Sequence, residues 1–196
     1  RSHKVLLAQH QILKKVFPPW ENQRDLPLFP NILLHNLSNG TLSSLPGIKE
    51  FKLQNLDAAV IADQIKKQKI DTLTGNVYYF QKLLQYFKEK NIQFPNVKAL
   101  GIGGSPVPEY LVHELQLFFS DADIYIIYGS SEAEPIAIRK INETNQQPYK
   151  GYCVGEIMHS LDLRIAPIGN LTFGNEITIP VGEIEVKGPH VALSNT

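Results

Sequence analysis

The chain has 196 residues, a length that accommodates one ordinary domain or two small ones with a sizeable buried core. Nineteen Lys and Arg residues balance nineteen Asp and Glu residues, so net charge does not favour a nucleic-acid or anionic-membrane partner. A hydrophobic content of 43% excludes a disordered chain, and a single cysteine excludes an internal disulfide and a cysteine-rich zinc site. No apolar run reaches the roughly 18 residues of a membrane helix, and a reducing, cytoplasmic location is expected.

The amino-terminal segment predicts a helix followed by irregular structure. Apolar residues at three- and four-residue spacing predict an amphipathic helix from Ser2 to Phe17, which two prolines then end. Prolines and small residues in the stretch 26–37 and the Ser- and Gly-containing stretch 38–44 predict loops around buried apolar structure.

Two more helices are predicted before residue 91. Asn55 can cap an amphipathic helix that ends in the basic turn 66–69. A short strand is predicted over 70–73. Asn76 then opens a helix with one apolar face, which ends near Lys90.

The clearest unit is a strand, helix and strand in succession. It consists of a strand from Val97 to Ile102, a glycine turn over 103–105, a helix from Pro108 to Phe119 and a strand from Ile124 to Tyr128. Such a crossover predicts parallel pairing with a right-handed connection.

The pattern changes after Gly151 to short alternating segments separated by proline and glycine turns. Three short strands are predicted, over 161–165, 177–179 and 184–187. The predicted fold class is therefore α/β. An α/β subdomain with a mostly parallel sheet and packed helices spans 1–150, and a smaller β-rich segment spans 151–196.

Two segments follow predicted strands at their carboxyl ends, where open parallel sheets bind ligands. The first contains Gly103, Gly104, Ser105 and Pro106. Its two glycines have no Cβ atom, so the backbone can approach a flat or charged ligand closely. A tight turn between strand and helix is the structural alternative for this segment.

The second segment is Tyr128, Gly129, Ser130, Ser131 and Glu132. An aromatic face can stack on a base, hydroxyls can donate to phosphate oxygens, and a carboxylate can hold Mg²⁺. A purely structural turn is again the alternative. Glu134, two residues further on, is either a second metal or substrate group or a surface carboxylate.

Four motifs in order resemble the adenylate-forming superfamily, which includes acyl-CoA synthetases, luciferases and peptide-synthetase adenylation domains. Residues 103–108 resemble its Gly-Gly-small-Pro segment, and residues 128–132 resemble its aromatic-Gly-x-Thr-Glu motif with serine in place of threonine. Residues 151–155 resemble its Gly-x-x-Val-Gly turn, and 182–189 its Gly-Glu-Ile-x-Val-Lys-Gly-Pro segment. Residues 132–135 are most similar to the long-chain acyl-CoA synthetase and olefin-pathway β-lactone synthetase branches.

The resemblance implies a role for each motif residue. Adenine of ATP or AMP would lie between the Gly103 to Pro106 backbone and the Tyr128 ring, with Gly129 and Ser130 beside it. Ser131 would meet the α-phosphate, and Glu132 would hold Mg²⁺. Gly104 and Ser105 would border the acyl carbonyl group.

The resemblance also implies a function. The parent protein would activate a carboxylic acid with ATP as an acyl-adenylate, then transfer the acyl group to the thiol of CoA or a carrier protein. An apolar tunnel near Val77, Tyr78 and Phe80 would hold a medium or long acyl chain, as in fatty acid metabolism. The competing interpretation is a non-catalytic nucleotide- or acyl-binding module.

Three parts of the family's machinery are expected outside this chain. Its Lys-bearing phosphate loop would precede Arg1, and its ribose-binding Thr-Gly-Asp and lid Lys would follow Thr196. We therefore interpret the chain as a middle portion of the large amino-terminal domain of such an enzyme, and we expect the isolated chain to be inactive.

Overall fold

The computed structural model describes residues 2–141, 151–173 and 177–192. Nine strands lie among these residues: β1 (Arg24–Pro27), β2 (Leu42–Ser43), β3 (Thr72–Asn76), β4 (Ala99–Gly103), β5 (Asp123–Tyr128), β6 (Ala137–Lys140), β7 (Glu156–Ile157), β8 (Asp162–Phe173) and β9 (Ile177–Lys187). The first seven form one sheet in the order β2-β1-β3-β4-β5-β6-β7. Strands β1 to β5 pair in parallel, and β6 and β7 are antiparallel to their neighbours. The predicted α/β fold with a mostly parallel sheet is confirmed.

In the described part of the chain, five α-helices connect or cover the strands: α1 (His3–Val16), α2 (Pro30–Asn39), α3 (Ala58–Lys67), α4 (Val77–Lys90) and α5 (Glu109–Phe118). The first begins where predicted, because the Ser2 hydroxyl accepts a hydrogen bond from the Val5 amide. Asn76 caps α4 in the same way, with its side-chain oxygen 2.9 Å from the Tyr79 nitrogen. None of the described helices is long and apolar enough to cross a membrane.

The predicted loops over 26–44 are wrong, because this stretch contains the second half of β1, all of α2 and all of β2. Pro30 is the first residue of α2. At this position a backbone N–H would have no hydrogen-bond partner within the helix, so proline, which lacks the N–H, is well tolerated. Gly40 ends the same helix in a left-handed conformation, with φ +72°. The proline and glycine signals therefore mark the ends of a helix here.

The predicted cap of α3 is also wrong. Asp57 occupies that position, and its carboxylate accepts a hydrogen bond from the Ala59 amide at 2.9 Å. Asn55 lies in a preceding 3₁₀ turn. Both residue types cap helices well, so composition alone did not separate them.

The three short strands predicted after Gly151 are instead two long ones. Strands β8 and β9 form an antiparallel hairpin with an irregularity between Pro167 and Gly169. In a two-stranded hairpin each strand has an open edge, so prolines and glycines do not end the pairing. The proposed domain boundary at residues 150 and 151 adjoins residues outside those described and stays a prediction.

The main core lies between one face of the sheet and the helices α3, α4 and α5. Its fully buried side chains include Leu26, Leu73, Leu100, Ile102, Phe80, Phe87, Leu111 and Leu115. Successive strand residues point to opposite faces, so Leu26 enters this core while the neighbouring Asp25 points toward α2. Helices α1 and α2 therefore cover part of the second face.

Candidate functional site

The carboxyl ends of β1, β3, β4 and β5 meet at one edge of the sheet. Asn76 pairs with Gly103, and Gly103 pairs with Ile127, so the two predicted binding segments follow neighbouring strands. A Cβ atom on Gly103 would lie 2.6 Å from the Ile127 carbonyl oxygen, so this glycine permits close approach of strands. Gly104 has φ +75°, and a Cβ there would lie 3.5 Å from the Phe29 ring. The Phe29 ring thus lies beside the glycine turn.

A cavity of about 440 Å³ opens at this edge, and we call it the edge cavity. It is lined by Gly104, Ser105, Pro106, Val107, Ile126, Ile127, Tyr128, Gly129, Tyr152, Cys153, Val154 and Ile184. Five of the predicted binding residues are among them, from two separate segments. Residues of the third and fourth motifs, 151–155 and 182–189, also reach it. Gly103, Ser130, Ser131 and Glu132 lie next to the cavity in sequence but do not line it.

Backbone hydrogen bonds hold the loop that carries Ser130, Ser131 and Glu132. The Ser130 amide donates to the Ala133 carbonyl at 2.8 Å, and the Ser130 hydroxyl accepts from the amides of Glu132 and Ala133. On the other side, the Ala192 amide donates to the Glu132 carbonyl at 2.6 Å. The loop is therefore tied to the chain on both sides while its side chains stay exposed.

The Glu132 carboxylate suits a hard cation. It is exposed and has no side-chain partner among the described residues. In that same part of the chain, no three His, Cys, Asp or Glu residues cluster as a ready-made metal site. A Mg²⁺ ion held through one carboxylate takes its other ligands from substrate phosphates and water, and this arrangement fits a single Glu132.

The buried Arg139 side chain fixes the turn that forms one wall of the edge cavity. Its guanidinium pairs with the Glu109 carboxylate at the start of α5 and donates to the Cys153 carbonyl at 3.3 Å. A planar guanidinium can serve both partners at once. Arg139 thereby links β6, α5 and residues 152–154.

The Glu134 side chain links the loop after β5 to helix α2, which lies far away in sequence. Its Oε2 atom accepts a hydrogen bond from the Asn31 side-chain amide at 2.9 Å. Asn31 lies in the first turn of α2, where a carboxylate is also favoured by the helix dipole. Sequence analysis did not find Asn31, because no local pattern connects residues 103 positions apart.

The hydrogen bond between Asn31 and Glu134 predicts an energetic coupling between these two side chains. Asn31→Ala and Glu134→Ala should each destabilise the chain, and the double variant should lose less than the sum by about 1 kcal/mol. Glu134→Gln should be milder, because it keeps an acceptor oxygen. Urea unfolding of the four variants and the parent chain measures the coupling, and strictly additive losses would show that the two side chains act independently.

A second cavity, the sheet-face cavity, lies between the second face of the sheet and helices α1 and α2. Its volume is about 330 Å³, and its apolar walls include Leu13, Val16, Phe17, Ile32, Tyr125 and Ile127. Ile127 also lines the edge cavity, so the two cavities are adjacent. Val77, Tyr78 and Phe80, the residues predicted for an acyl tunnel, line neither. Phe80 is fully buried in the main core, on the other side of the sheet.

A buried carboxylate lines the sheet-face cavity. Asp25 accepts hydrogen bonds from the Thr72 hydroxyl at 2.6 Å and from the Asn36 amide at 2.5 Å. Burial raises the pKa of the Asp25 carboxyl above its ordinary value, and the bonds from Thr72 and Asn36 offset this only in part. The folded chain therefore holds this proton more tightly than the unfolded chain does.

This raised pKa predicts a pH-dependent stability. Above the ordinary Asp pKa the unfolded chain has lost the proton that the folded chain retains, so the free energy of unfolding falls as pH rises toward the raised value. In Asp25→Asn the decline should be smaller, because the asparagine side chain does not titrate. The Asn36 amide can turn, so that the hydrogen bonds to Thr72 and Asn36 are kept. Urea unfolding from about pH 4 to pH 8 compares the two chains. Equal slopes would contradict the assignment.

Three comparisons place these features among known proteins. The profile of a family described as "AMP-binding enzyme" matches residues 46–194. The olefin beta-lactone synthetase of Stenotrophomonas maltophilia is 26% identical over 199 residues, which cover 95% of this chain and 35% of that protein. The mitochondrial medium-chain acyl-CoA ligase of Mus musculus is 23% identical over 193 residues, which cover 95% of this chain and 31% of that protein. The chain thus spans about a third of the length of these relatives.

A solved structure with the same fold is o-succinylbenzoate coenzyme A synthetase from Bacillus subtilis, in complex with ATP and magnesium ion. The TM-score is 0.74 at 19% sequence identity, and the match covers 99% of this chain and 38% of that one. At this identity the likeness extends to the fold.

Proposed function

The chain belongs to the family of AMP-binding enzymes, and from this premise we propose that the protein activates a carboxylic acid by joining it to AMP. The observation that carries the proposal is the composition of the edge cavity. Gly104, Tyr128, Tyr152 and Ile184 come from four separate motifs and line this one space. A volume of about 440 Å³ is in the range of small-molecule sites.

We assign the nucleotide to this cavity. The backbone of residues 104–106 and the Tyr128 ring form walls between which a planar adenine can stack. Ser131 and Glu132 follow in the exposed loop and would face the phosphates, with the Ser131 hydroxyl donating to the α-phosphate. When bound, Mg²⁺ would supply positive charge beside the phosphates, and Glu132 is the residue that would hold it.

The proposed reaction is a displacement at the α-phosphorus. A carboxylate oxygen of the substrate forms a bond to that phosphorus, and the bond from phosphorus to the oxygen bridging the α- and β-phosphates breaks. Pyrophosphate leaves with the electron pair, and the acyl-adenylate remains. The chain contributes by positioning: Tyr128 and the glycine turn orient the nucleotide, and the Ser131 hydroxyl holds the α-phosphate in line.

The acyl part of the substrate would lie in the adjacent sheet-face cavity, whose walls are largely apolar. We propose a medium or long acyl chain and a second step to the thiol of CoA or of a carrier protein. The names of the related acyl-CoA ligase and coenzyme A synthetase support a thiol acceptor. A role in fatty acid metabolism and a cytoplasmic location follow as parts of the same proposal.

Isotope transfer tests the bond that forms. The full-length protein is incubated with ATP, Mg²⁺ and decanoic acid labelled with ¹⁸O in its carboxylate, and the acyl-adenylate is allowed to hydrolyse or react onward. We expect AMP to carry one ¹⁸O atom, because the carboxylate oxygen becomes bonded to the α-phosphorus. Unlabelled AMP, or ADP as the product, would contradict adenylate formation.

A further inference from the structure

His190 is a buried histidine that lines neither the edge cavity nor the sheet-face cavity. Its side chain is 1% exposed, and its Nε2 atom lies 2.8 Å from the Pro135 carbonyl oxygen. A carbonyl oxygen can only accept a hydrogen bond, so Nε2 carries the hydrogen atom and donates. Pro135 ends the exposed loop that carries Ser131 and Glu132. His190 therefore holds this loop from a position 55 residues further along the chain.

The two residues after His190 contact the same loop through the backbone. Val191 pairs with Ala133 in an antiparallel bridge, and the Ala192 amide donates to the Glu132 carbonyl at 2.6 Å. Together with the bond from His190, these contacts run antiparallel along the loop. The contact from His190 is made by a side chain, so a substitution can remove it and leave the two backbone contacts in place.

The proposed adenine wall is held in a different way. Tyr128 is the last residue of β5, and it pairs with Ala137 of β6 within the sheet. Its backbone is therefore fixed by neighbouring strands. Ser131 and Glu132 lie outside any strand, and contacts with residues 190–192 hold their loop against the rest of the chain. A disturbance at His190 should accordingly reach the loop before it reaches the ring.

We propose that His190 is a positioning residue that places the exposed loop for adenylation. This inference rests on the proposed function. The hydrogen bond to Pro135 fixes the loop that brings Ser131 and Glu132 to the phosphates of ATP. A displacement of reacting groups by about 1 Å can lower a rate on the order of 10²-fold. Loss of the bond should therefore lower kcat, whereas binding of the adenosine part, which depends on the Tyr128 ring, should stay unchanged.

The test compares His190→Met with His190→Gln in the full-length protein. The two side chains have the same length, but only glutamine has an N–H that can donate to the Pro135 carbonyl. We expect His190→Met to lower kcat for adenylation of decanoic acid by about tenfold or more, with the Kd for AMP within about twofold of the parent value. The Mg²⁺ concentration for half-maximal rate should rise in the same variant. His190→Gln should keep most of the rate.

Hydrogen–deuterium exchange gives a second readout, which needs neither nucleotide nor Mg²⁺. The amides of Glu132 and Ala133 donate to the Ser130 hydroxyl, so their exchange reports how well the loop is ordered. Exchange over residues 129–134 should be faster in His190→Met than in the parent protein. In His190→Gln it should stay close to that of the parent.

Stability is controlled separately. The Nδ1 atom of His190 is buried without a hydrogen-bond partner among the described residues. Methionine removes this unpaired atom but leaves the Pro135 carbonyl unpaired, so the two effects on stability oppose each other. Ile65→Val weakens the main core and lines neither cavity, so it should lower the melting temperature without changing kcat or exchange in the loop. His190→Phe removes the donor but keeps a ring, and it repeats the comparison if methionine prevents folding.

Parent-like kcat and parent-like loop exchange in His190→Met would overturn the inference. Equal losses in His190→Met and His190→Gln would also overturn it, because the hydrogen bond would then not be the cause. Either result would leave adenylation by the parent protein intact. Failure of the parent protein to activate any carboxylic acid would overturn both proposals.

Discussion

Glu132→Gln is expected to lower kcat/KM for adenylation on the order of 10² or more in the full-length protein, equivalent to at least about 2.7 kcal/mol. The substitution keeps the size of the side chain and removes the charge that would hold Mg²⁺. Because the Glu132 side chain is exposed and has no partner among the described residues, folding stability should change little. Adenylation rates at increasing Mg²⁺ and ATP measure the effect.

Glu134→Gln is the matched control, two residues further along the same loop. It removes the same charge but keeps an acceptor for the Asn31 amide, so its rate should stay much closer to that of the parent. A near-normal rate for Glu132→Gln together with a large loss for Glu134→Gln would move the metal assignment to Glu134. The role proposed for the exposed loop would then be wrong.

Tyr128→Ala is expected to weaken ATP and AMP binding by roughly 1–3 kcal/mol, or about 5- to 150-fold in affinity. The reason is the loss of a flat ring from one wall of the edge cavity. Calorimetric titration with AMP measures it. Tyr128→Phe should be mild, because stacking uses the face of the ring and not its hydroxyl.

A second variant separates stacking from packing at this position. Tyr128 also packs against a small core formed by Ala133, Ile136 and Leu161, so alanine removes apolar contacts as well. Tyr128→Leu restores most of the apolar bulk without a flat ring. If it bound AMP as tightly as the parent chain, the ring would not be the adenine wall.

The regular helices and strands at the centre of the fold could be predicted from the sequence. The apolar periods of α4 and α5 and the apolar strand β5 are local patterns, and they predict the parallel arrangement that the structure has. The resemblance to adenylate-forming enzymes, carried by four ordered motifs, is likewise confirmed by the family match over residues 46–194.

The wrong predictions for residues 26–44 and for the strands after Gly151 share a physical cause. Pro30 and Gly40 bound a helix, whereas the prolines and glycines of β8 and β9 lie inside a hairpin with open edges. The local residue type is the same, and only tertiary context decides whether it ends an element or sits within it.

The candidate site was predictable where it is built from chain-local motifs and unpredictable where it is built across space. The turn at Gly104 and the ring of Tyr128 were identified from their own segments. Asn31 reaches Glu134 from the start of α2, and no local signal predicts this contact. The cavity beside Ile127 likewise depends on α1 and α2 packing over the second face of the sheet.

Carboxylate-dependent exchange of labelled pyrophosphate into ATP tests the central claim most directly. Reversal of the proposed step returns pyrophosphate to the α-phosphorus, so the full-length protein should incorporate label into ATP only when Mg²⁺ and a carboxylic acid are both present. Loss of that incorporation in Glu132→Gln would connect the reaction to the loop described above. Tight AMP binding without exchange for any carboxylic acid would contradict the account and identify the protein as a non-catalytic nucleotide-binding module.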